Sequence, residues 1–229
     1  MNLSLTEKPL SVATITQPED LEFLAAGYAV PSNILEFRLD NLGELAEQST
    51  KVMRTVERPT LLTVRRPDEG GANDLDDDAR VALYSEHMSG TEIVDTEIVS
   101  LESEAFAGFA TRVEDNSSIL AASYHDFNCW PGMDVIRSKV DRAYELDAEI
   151  AKIAIVIEQM SDLFDLAELV SYHRSEGRLI SAMGMGSLGK LSRLVLAKAG
   201  SCLNYGYLKT PNAPGQWSAE DLTRLIADL

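Results

Sequence analysis

The chain has little of what marks secreted or membrane proteins. It contains only two cysteines, Cys129 and Cys202, in 229 residues, which is too few for a disulfide framework. Its longest apolar run, residues 153–157, is far shorter than the roughly 20 residues that a membrane-spanning helix needs. The first residues lack the basic start and apolar stretch of a secretory signal. We therefore expect a soluble protein of the cytoplasm.

Positive charge is scarce as well. The chain has 20 lysines and arginines against 37 acidic residues, a formal net charge of −17. Such a charge repels phosphate backbones and anionic lipid, so we expect neither nucleic acid nor a membrane as a partner. An acidic surface of this kind is also typical of adaptation to high salt. A substrate that carries a carboxylate would need arginines placed close to it.

No linker rich in proline, glycine or serine divides the chain, so we predict a single domain over residues 1–229. Apolar β-rich segments alternate with helical patterns along its whole length. The predicted strands are residues 11–16, 33–39, 60–65, 93–98, 118–123, 150–156, 179–183 and 201–205. The last helix is predicted to begin at Ser218, whose hydroxyl can cap it three residues before Asp221.

Eight strands alternating with helices in about 230 residues predict an α/β protein with a (β/α)8 TIM-barrel fold. A doubly wound open sheet is the alternative. It is disfavoured because no glycine-rich turn follows the first strand.

The second strand carries charges at alternate positions. Glu36, Arg38 and Asp40 alternate with apolar residues, so the three charged side chains share one face of the strand. In a barrel this face points inward near the mouth, where active sites lie. An edge strand with one solvated face would give the same pattern.

A lysine interrupts the apolar sixth strand. Lys152 stands within residues 150–156, and lysines are almost never fully buried without a purpose. Removal from water disfavours the charged form of an amine, and a neutral amine is a nucleophile that condenses with ketones. The alternatives are that Lys152 reaches solvent at the strand end or pairs with Glu149.

A histidine follows the fifth strand. His125 comes directly after an apolar run, and imidazole is the side chain best suited to proton transfer near neutral pH. A purely structural histidine is the alternative. His87 and His173, the other two histidines, fall in helical segments, and we expect them at the surface.

Three further segments suggest a function, but each gives only weak support when it is taken alone. Arg65 and Glu69 flank a turn after the third strand, and such residues are often only solvated. The seventh strand runs into a glycine-rich turn that can receive an anion, and Arg193 beyond it can clamp a carboxylate. After the eighth strand, residues 212–216 have the composition of a lid over the barrel mouth.

Taken in order, these segments resemble the type I 3-dehydroquinate dehydratase family over nearly the whole chain. The matching segments are Glu36-Phe37-Arg38-Leu39-Asp40, residues 65–71, Ser123-Tyr124-His125-Asp126-Phe127, Lys152-Ile153-Ala154, Met183-Gly184-Met185-Gly186, Ser192-Arg193 and Ala213-Pro214-Gly215-Gln216.

The resemblance implies that Lys152 forms a Schiff base with the ketone of 3-dehydroquinate and that His125 moves the protons. It implies that Glu69 orients His125, and that the product is 3-dehydroshikimate. The residues that it implies for substrate binding are Glu36, Phe37, Arg38, Arg65, Arg193, Asn212, Gln216 and, by a looser match, Thr14. Asn212 stands where a serine is common in the family.

The resemblance also implies no metal and no organic cofactor, a small-molecule substrate, and a homodimer as one assembly. It leaves open whether the enzyme serves the shikimate pathway or degrades quinate. Two other functions remain as alternatives. One is a Schiff-base aldolase on the same barrel, and the other is a catalytically silent barrel that acts as a binding protein.

Overall fold

The computed structural model describes residues 4–211 and 215–229, and in it eight parallel strands form one sheet. The strands are β1 Leu10–Ile15, β2 Ile34–Arg38, β3 Thr60–Thr63, β4 Ile93–Glu97, β5 Ile119–Asp126, β6 Ile150–Val156, β7 Leu179–Met185 and β8 Leu203–Tyr207. From β1 to β7 each strand pairs with its neighbour in the sequence, and β8 returns to pair with β1. The predicted (β/α)8 barrel is confirmed, and the open-sheet alternative is wrong.

Helices follow the strands and cover the outside of the barrel. They are α1 Pro18–Ala25, α2 Leu39–Leu42, α3 Ala46–Met53, α4 Asp77–His87, α5 Ile98–Leu101, α6 Phe109–Asp115, α7 Met133–Glu145, α8 Met160–Ser175, α9 Gly189–Ala199 and α10 Ala219–Ala227. Within residues 4–211 and 215–229, none of them has both the length and the apolar character that crossing a bilayer requires.

The barrel closes between β7 and β8 without a regular ladder of hydrogen bonds. The amide of Cys202 donates to the carbonyl oxygen of Ile180 over 2.9 Å. Beside it, the buried hydroxyl of Ser181 donates to the carbonyl oxygen of Leu203 over 2.8 Å. Serine side chains therefore satisfy backbone groups that a strand ladder would otherwise pair.

Side chains alternate between the inside of the barrel and the layer of helices. Toward the N-terminal ends of the strands the inside is apolar, with Val12, Ile34, Leu61, Ile93 and Ile150 in one buried cluster. The apolar cluster on the opposite face of the strands packs against the helices. Polar and charged side chains occupy the inward positions nearer the C-terminal ends of the strands.

The two helical histidines are buried, so their predicted surface location is wrong. His87 Nδ1 lies 2.8 Å from Thr50 Oγ1, which joins α4 to α3. His173 packs against Tyr144, with ring centroids 5.6 Å apart, where α8 contacts α7. Both side chains face neighbouring helices, and a helical pattern by itself does not reveal which polar positions meet such a neighbour.

The predicted start of the last helix is confirmed. The hydroxyl of Ser218 accepts a hydrogen bond from the amide of Asp221 over 3.1 Å and donates to its carboxylate over 2.9 Å. This cap satisfies one of the free amides of the first turn. Leu222 and Ile226 of the same helix are buried, so the cap fixes a helix that covers the barrel.

We predict that Ser218→Ala destabilises the protein by about 1 kcal/mol, because an amide of the first turn loses its partner. In a chain of this size that loss lowers Tm by about 2–4 °C, which calorimetry or urea unfolding can measure. Ser161→Ala, at an exposed position in α8, is the matched control and should change Tm by less than 1 °C or so. Equal effects of the two changes would contradict the assignment of the cap.

Candidate active site

An open cavity of about 720 Å³ lies at the C-terminal ends of the strands. The residues predicted for the site that line it are Thr14, Glu36, Arg38, Arg65, Glu69, His125, Lys152, Arg193 and Gln216. Asn212 lies outside the described residues. The described part of the chain has no group of three or more His, Cys, Asp or Glu side chains arranged to hold a metal ion.

Phe37 does not join the cavity. It alternates with Glu36 and Arg38 along β2, and its fully buried side chain belongs to the apolar cluster between barrel and helices. The prediction that its side chain contacts substrate therefore conflicts with the pleat of the strand. Phe37 is therefore part of the core and not of the cavity.

Lys152 lies at the base of the cavity and is 3% exposed. Its Nζ donates a hydrogen bond to Asp95 Oδ2 and lies 3.9 Å from Glu36 Oε1. The two alternatives from the sequence are wrong, because Lys152 does not reach solvent and Glu149 accepts a hydrogen bond from the Leu120 amide instead. The amine is held at one place in the barrel by a carboxylate.

Asp95 binds both Lys152 and Arg65. Its Oδ1 lies 3.0 Å from Arg65 Nη2 and accepts a hydrogen bond from Ser123 Oγ over 2.7 Å. Burial by itself would raise the pKa of Asp95, but Arg65 and Lys152 outweigh it and lower this pKa to about 2. Asp95 is therefore ionised at neutral pH and fixes two cations.

Glu97 extends this network beyond the barrel wall. It lies two residues after Asp95 on β4, accepts a hydrogen bond from Arg65 Nη1 over 2.8 Å, and pairs with Arg80 of α4. Neither carboxylate is among the site residues predicted from the sequence. Their signal was the alternation of Asp95 and Glu97 with other residues in β4, the same pattern that drew attention to the second strand.

His125 and Glu69 form a pair at the cavity wall. Glu69 Oε2 lies 3.0 Å from His125 Nδ1 and accepts a hydrogen bond from the His125 amide over 2.9 Å. Burial, with the charges of Arg65, Lys152 and Arg38, holds the pKa of His125 well below its usual 6.5. Burial also raises the pKa of Glu69 to about 7. The imidazole is therefore neutral at pH 7 and can accept a proton at Nε2.

The turn that presents Glu69 requires glycine. Gly70 follows the 3₁₀ turn Pro67–Glu69 with φ of +89°, a left-handed conformation that other residues rarely adopt. A Cβ on Gly71 would lie 2.3 Å from the carbonyl oxygen of Arg65. The Glu-Gly-Gly segment therefore packs closely against the backbone that follows β3, and Glu69 is directed toward His125.

Arg38 and Arg65 already have carboxylate partners. Asp40 accepts two parallel hydrogen bonds from Arg38, of 2.9 and 2.7 Å. Asp95 and Glu97 pair with the buried Arg65 and offset the cost of removing its charge from water. Both arginines line the cavity, but their positive charge is balanced within the protein. They can donate to a ligand's hydroxyl oxygens without supplying unpaired charge.

Arg193 differs from these two arginines. Among the described residues it donates only to backbone carbonyl oxygens, those of Tyr205, Gly184, Gly189 and Gly215, over 2.7–3.1 Å. Within residues 4–211 and 215–229 it has no carboxylate partner. Burial lowers its pKa to about 10, so the side chain stays charged at pH 7. Arg193 is therefore a fixed cation that can bind an anionic group at the cavity.

A family model described as type I 3-dehydroquinase matches residues 11–228. The chain belongs to the type I 3-dehydroquinase family. It is 30% identical to the 3-dehydroquinate dehydratase of Methanococcoides burtonii over 227 residues, which cover 97% of this chain and 95% of that protein. It is also 30% identical to the enzyme of the same name from Methanocella arvoryzae, over 93% of this chain and 94% of that one.

Solved structures of this family have the same barrel. The type I 3-dehydroquinate dehydratase of Clostridium difficile, determined with covalently modified comenic acid, superposes with a TM-score of 0.86 at 25% identity. The superposition covers 99% of this chain and 94% of the Clostridium difficile chain. The 3-dehydroquinate dehydratase of Geobacillus kaustophilus gives a TM-score of 0.83 at 23% identity, with 97% and 91% covered, which shows the shared fold.

We predict that His125 stays a neutral imidazole to below pH 6.5, because burial and the neighbouring cations disfavour its charged form. Long-range ¹H–¹⁵N NMR should show Nδ1 protonated and Nε2 unprotonated at pH 7.5, above the pKa of Glu69. His125→Ala identifies the signals among those of the three histidines. An imidazolium at pH 6.5 would contradict the prediction.

Proposed function

We propose that the protein dehydrates 3-dehydroquinate to 3-dehydroshikimate through an imine formed on Lys152, as a hydro-lyase of its family. The observation that carries the proposal is a lysine amine buried at the base of the cavity, held by Asp95 and Glu36. A buried, positioned amine is what imine formation requires.

In the proposed reaction Lys152 Nζ gives up one proton and attacks the ketone carbon. The ketone oxygen takes this proton and a second one from the nitrogen and leaves as water, and a C=N⁺ bond forms. The iminium withdraws electrons from the adjacent carbon, so a weakly acidic C–H proton can pass to the neutral imidazole of His125. The electron pair then expels the hydroxyl one carbon further along, and this hydroxyl leaves as water with the proton from His125. Hydrolysis of the imine releases the enone and restores the amine.

Glu69 supports this sequence through its bond to His125 Nδ1. A carboxylate at Nδ1 fixes the ring and leaves Nε2 as the base, and it stabilises the imidazolium once the proton has moved. The proton can then be returned to the departing hydroxyl. One imidazole thus serves as base and as acid.

The remaining residues of the cavity are proposed to bind the substrate. Arg193 takes the carboxylate, because its charge is not paired within the described protein. The residues proposed for the hydroxyls are Thr14, Glu36, Arg38, Arg65 and Gln216, all on the cavity wall. Asn212 remains a prediction from the sequence.

The two alternative functions fit the site less well. An aldolase would also need the buried lysine. A carboxylate site at Arg193 beside the His125–Glu69 pair suits instead a cyclic carboxylic acid that loses water. A silent barrel would have no need to keep Lys152, His125 and Glu69 together around one cavity. A homodimer and a cytoplasmic location are further proposals, which rest on the family and on the low cysteine content.

We predict that incubation with 3-dehydroquinate followed by borohydride adds a single reduced adduct, which peptide mapping places on Lys152. Lys152→Met keeps an unbranched chain as far as Cε but has no amine, so both adduct and turnover should fall by at least about 1000-fold. Lys51→Ala, at a lysine with a 76% exposed side chain, should leave both unchanged. An adduct elsewhere, or enone formation by Lys152→Met, would refute the nucleophile.

We predict that Arg193→Ala raises KM for 3-dehydroquinate by roughly 10- to 100-fold, the range for losing a hydrogen-bonded charge partner. Arg224→Ala, at an arginine whose side chain is 68% exposed, is the control and should leave KM unchanged. Thermal unfolding of both variants separates a binding defect from the loss of the carbonyl contacts that Arg193 makes. An unchanged KM in a folded Arg193→Ala protein would remove the carboxylate site.

A further inference from the structure

Tyr205 of β8, which is not among the site residues predicted from the sequence, contacts the nitrogen of Lys152. Its ring centroid lies 4.1 Å from Lys152 Nζ. The side chain lines the cavity and is 4% exposed. At this distance a ring face attracts a cation, and the attraction is largest where water is excluded.

The contacts of Lys152 Nζ are therefore of two kinds. Asp95 and Glu36 are acceptors, which bind through N–H groups or through charge. Tyr205 presents a π face, which needs no N–H. Its own hydroxyl is buried and has no hydrogen-bond partner in the described part of the chain, so a hydrogen bond does not explain why the ring lies over the amine.

We propose that the ring face of Tyr205 stabilises the cationic iminium nitrogen of Lys152, which makes Tyr205 a further catalytic residue. This inference rests on the proposed imine mechanism. It assigns the stabilisation to the ring and not to the hydroxyl.

The change at nitrogen during imine formation explains why a ring is useful. The ammonium has three N–H donors, whereas the iminium has one, because a C=N bond to the substrate replaces the others and water is released. The positive charge is the same before and after. Contacts made through N–H to Asp95 are therefore weakened. The contact with the ring of Tyr205 is kept, because the ring attracts the charge of the iminium, a flat cation that can stack against it.

The experiment varies the electron density of the ring at constant shape. Tyr205→Phe is the matched control, because it removes a hydroxyl without a partner and keeps the π face. Phenylalanines with one, two and three ring fluorines at the same position then weaken the attraction for a cation stepwise. For each protein, kcat is measured at its pH-independent plateau, together with the fraction of Lys152 that borohydride traps with substrate.

We expect Tyr205→Phe to keep kcat within about threefold of the wild type. Along the fluorinated series, log kcat and the trapped fraction should both fall with each fluorine, to about 10-fold below Phe for the trifluorinated ring. KM should change little. If Tyr205 had only a structural role, kcat would not depend on the electron density of the ring, since all four rings have nearly the same shape.

Equal kcat and equal trapping across the series would overturn the inference. A rise in trapping with fluorination would also overturn it, because the ring would then favour the ammonium over the iminium. If the wild type itself gives no adduct on Lys152, the proposed mechanism fails and the inference fails with it. If the wild type gives a normal adduct and fluorination leaves it unchanged, only the inference fails.

Discussion

The burial of the Lys152 amine is the constraint on which the rest of the site depends. An ionised group inside a protein costs several kcal/mol unless it is paired, and Asp95 supplies the pair. Asp95 is itself buried and needs Arg65, Arg65 needs Glu97, and Glu97 needs Arg80. The network thus alternates in sign from the base of the cavity to helix α4, so removing one member takes a partner of opposite charge from each of its neighbours.

This network is possible because side chains alternate along parallel strands. On β4, Asp95 and Glu97 share the inward face, and a shift of one residue would put both among the helices. Ser123 and Lys152 are register partners on β5 and β6, so both reach the same carboxylate of Asp95 from adjacent strands. The barrel therefore brings together charges from β4, from β6 and from the segment that follows β3, which are far apart in the sequence.

Much of this could be predicted from the sequence, and two of the failures have a common cause. The eight strands and Lys152 followed from local patterns, because strand rhythm and a lysine in an apolar run are visible within a few residues. Tyr205 gave no such signal, since a tyrosine in a strand is ordinary and its role depends on a lysine from another strand. The burial of His87 was missed for the same reason, because it depends on contact with Thr50 of a different helix.

The charge of the whole chain and the charge of the site have opposite effects on an anionic substrate. A net charge of −17 repels anions at long range, although salt screens this repulsion beyond about 10 Å. Inside the cavity, Arg193 is held by carbonyl oxygens, which fix its position without neutralising it. A buried cation of this kind is unfavourable until an anion arrives, so a carboxylate ligand gains more from it than a neutral analogue does. In the proposed function, selectivity for an acid therefore comes from Arg193, which has no carboxylate partner among the described residues, and not from the overall charge.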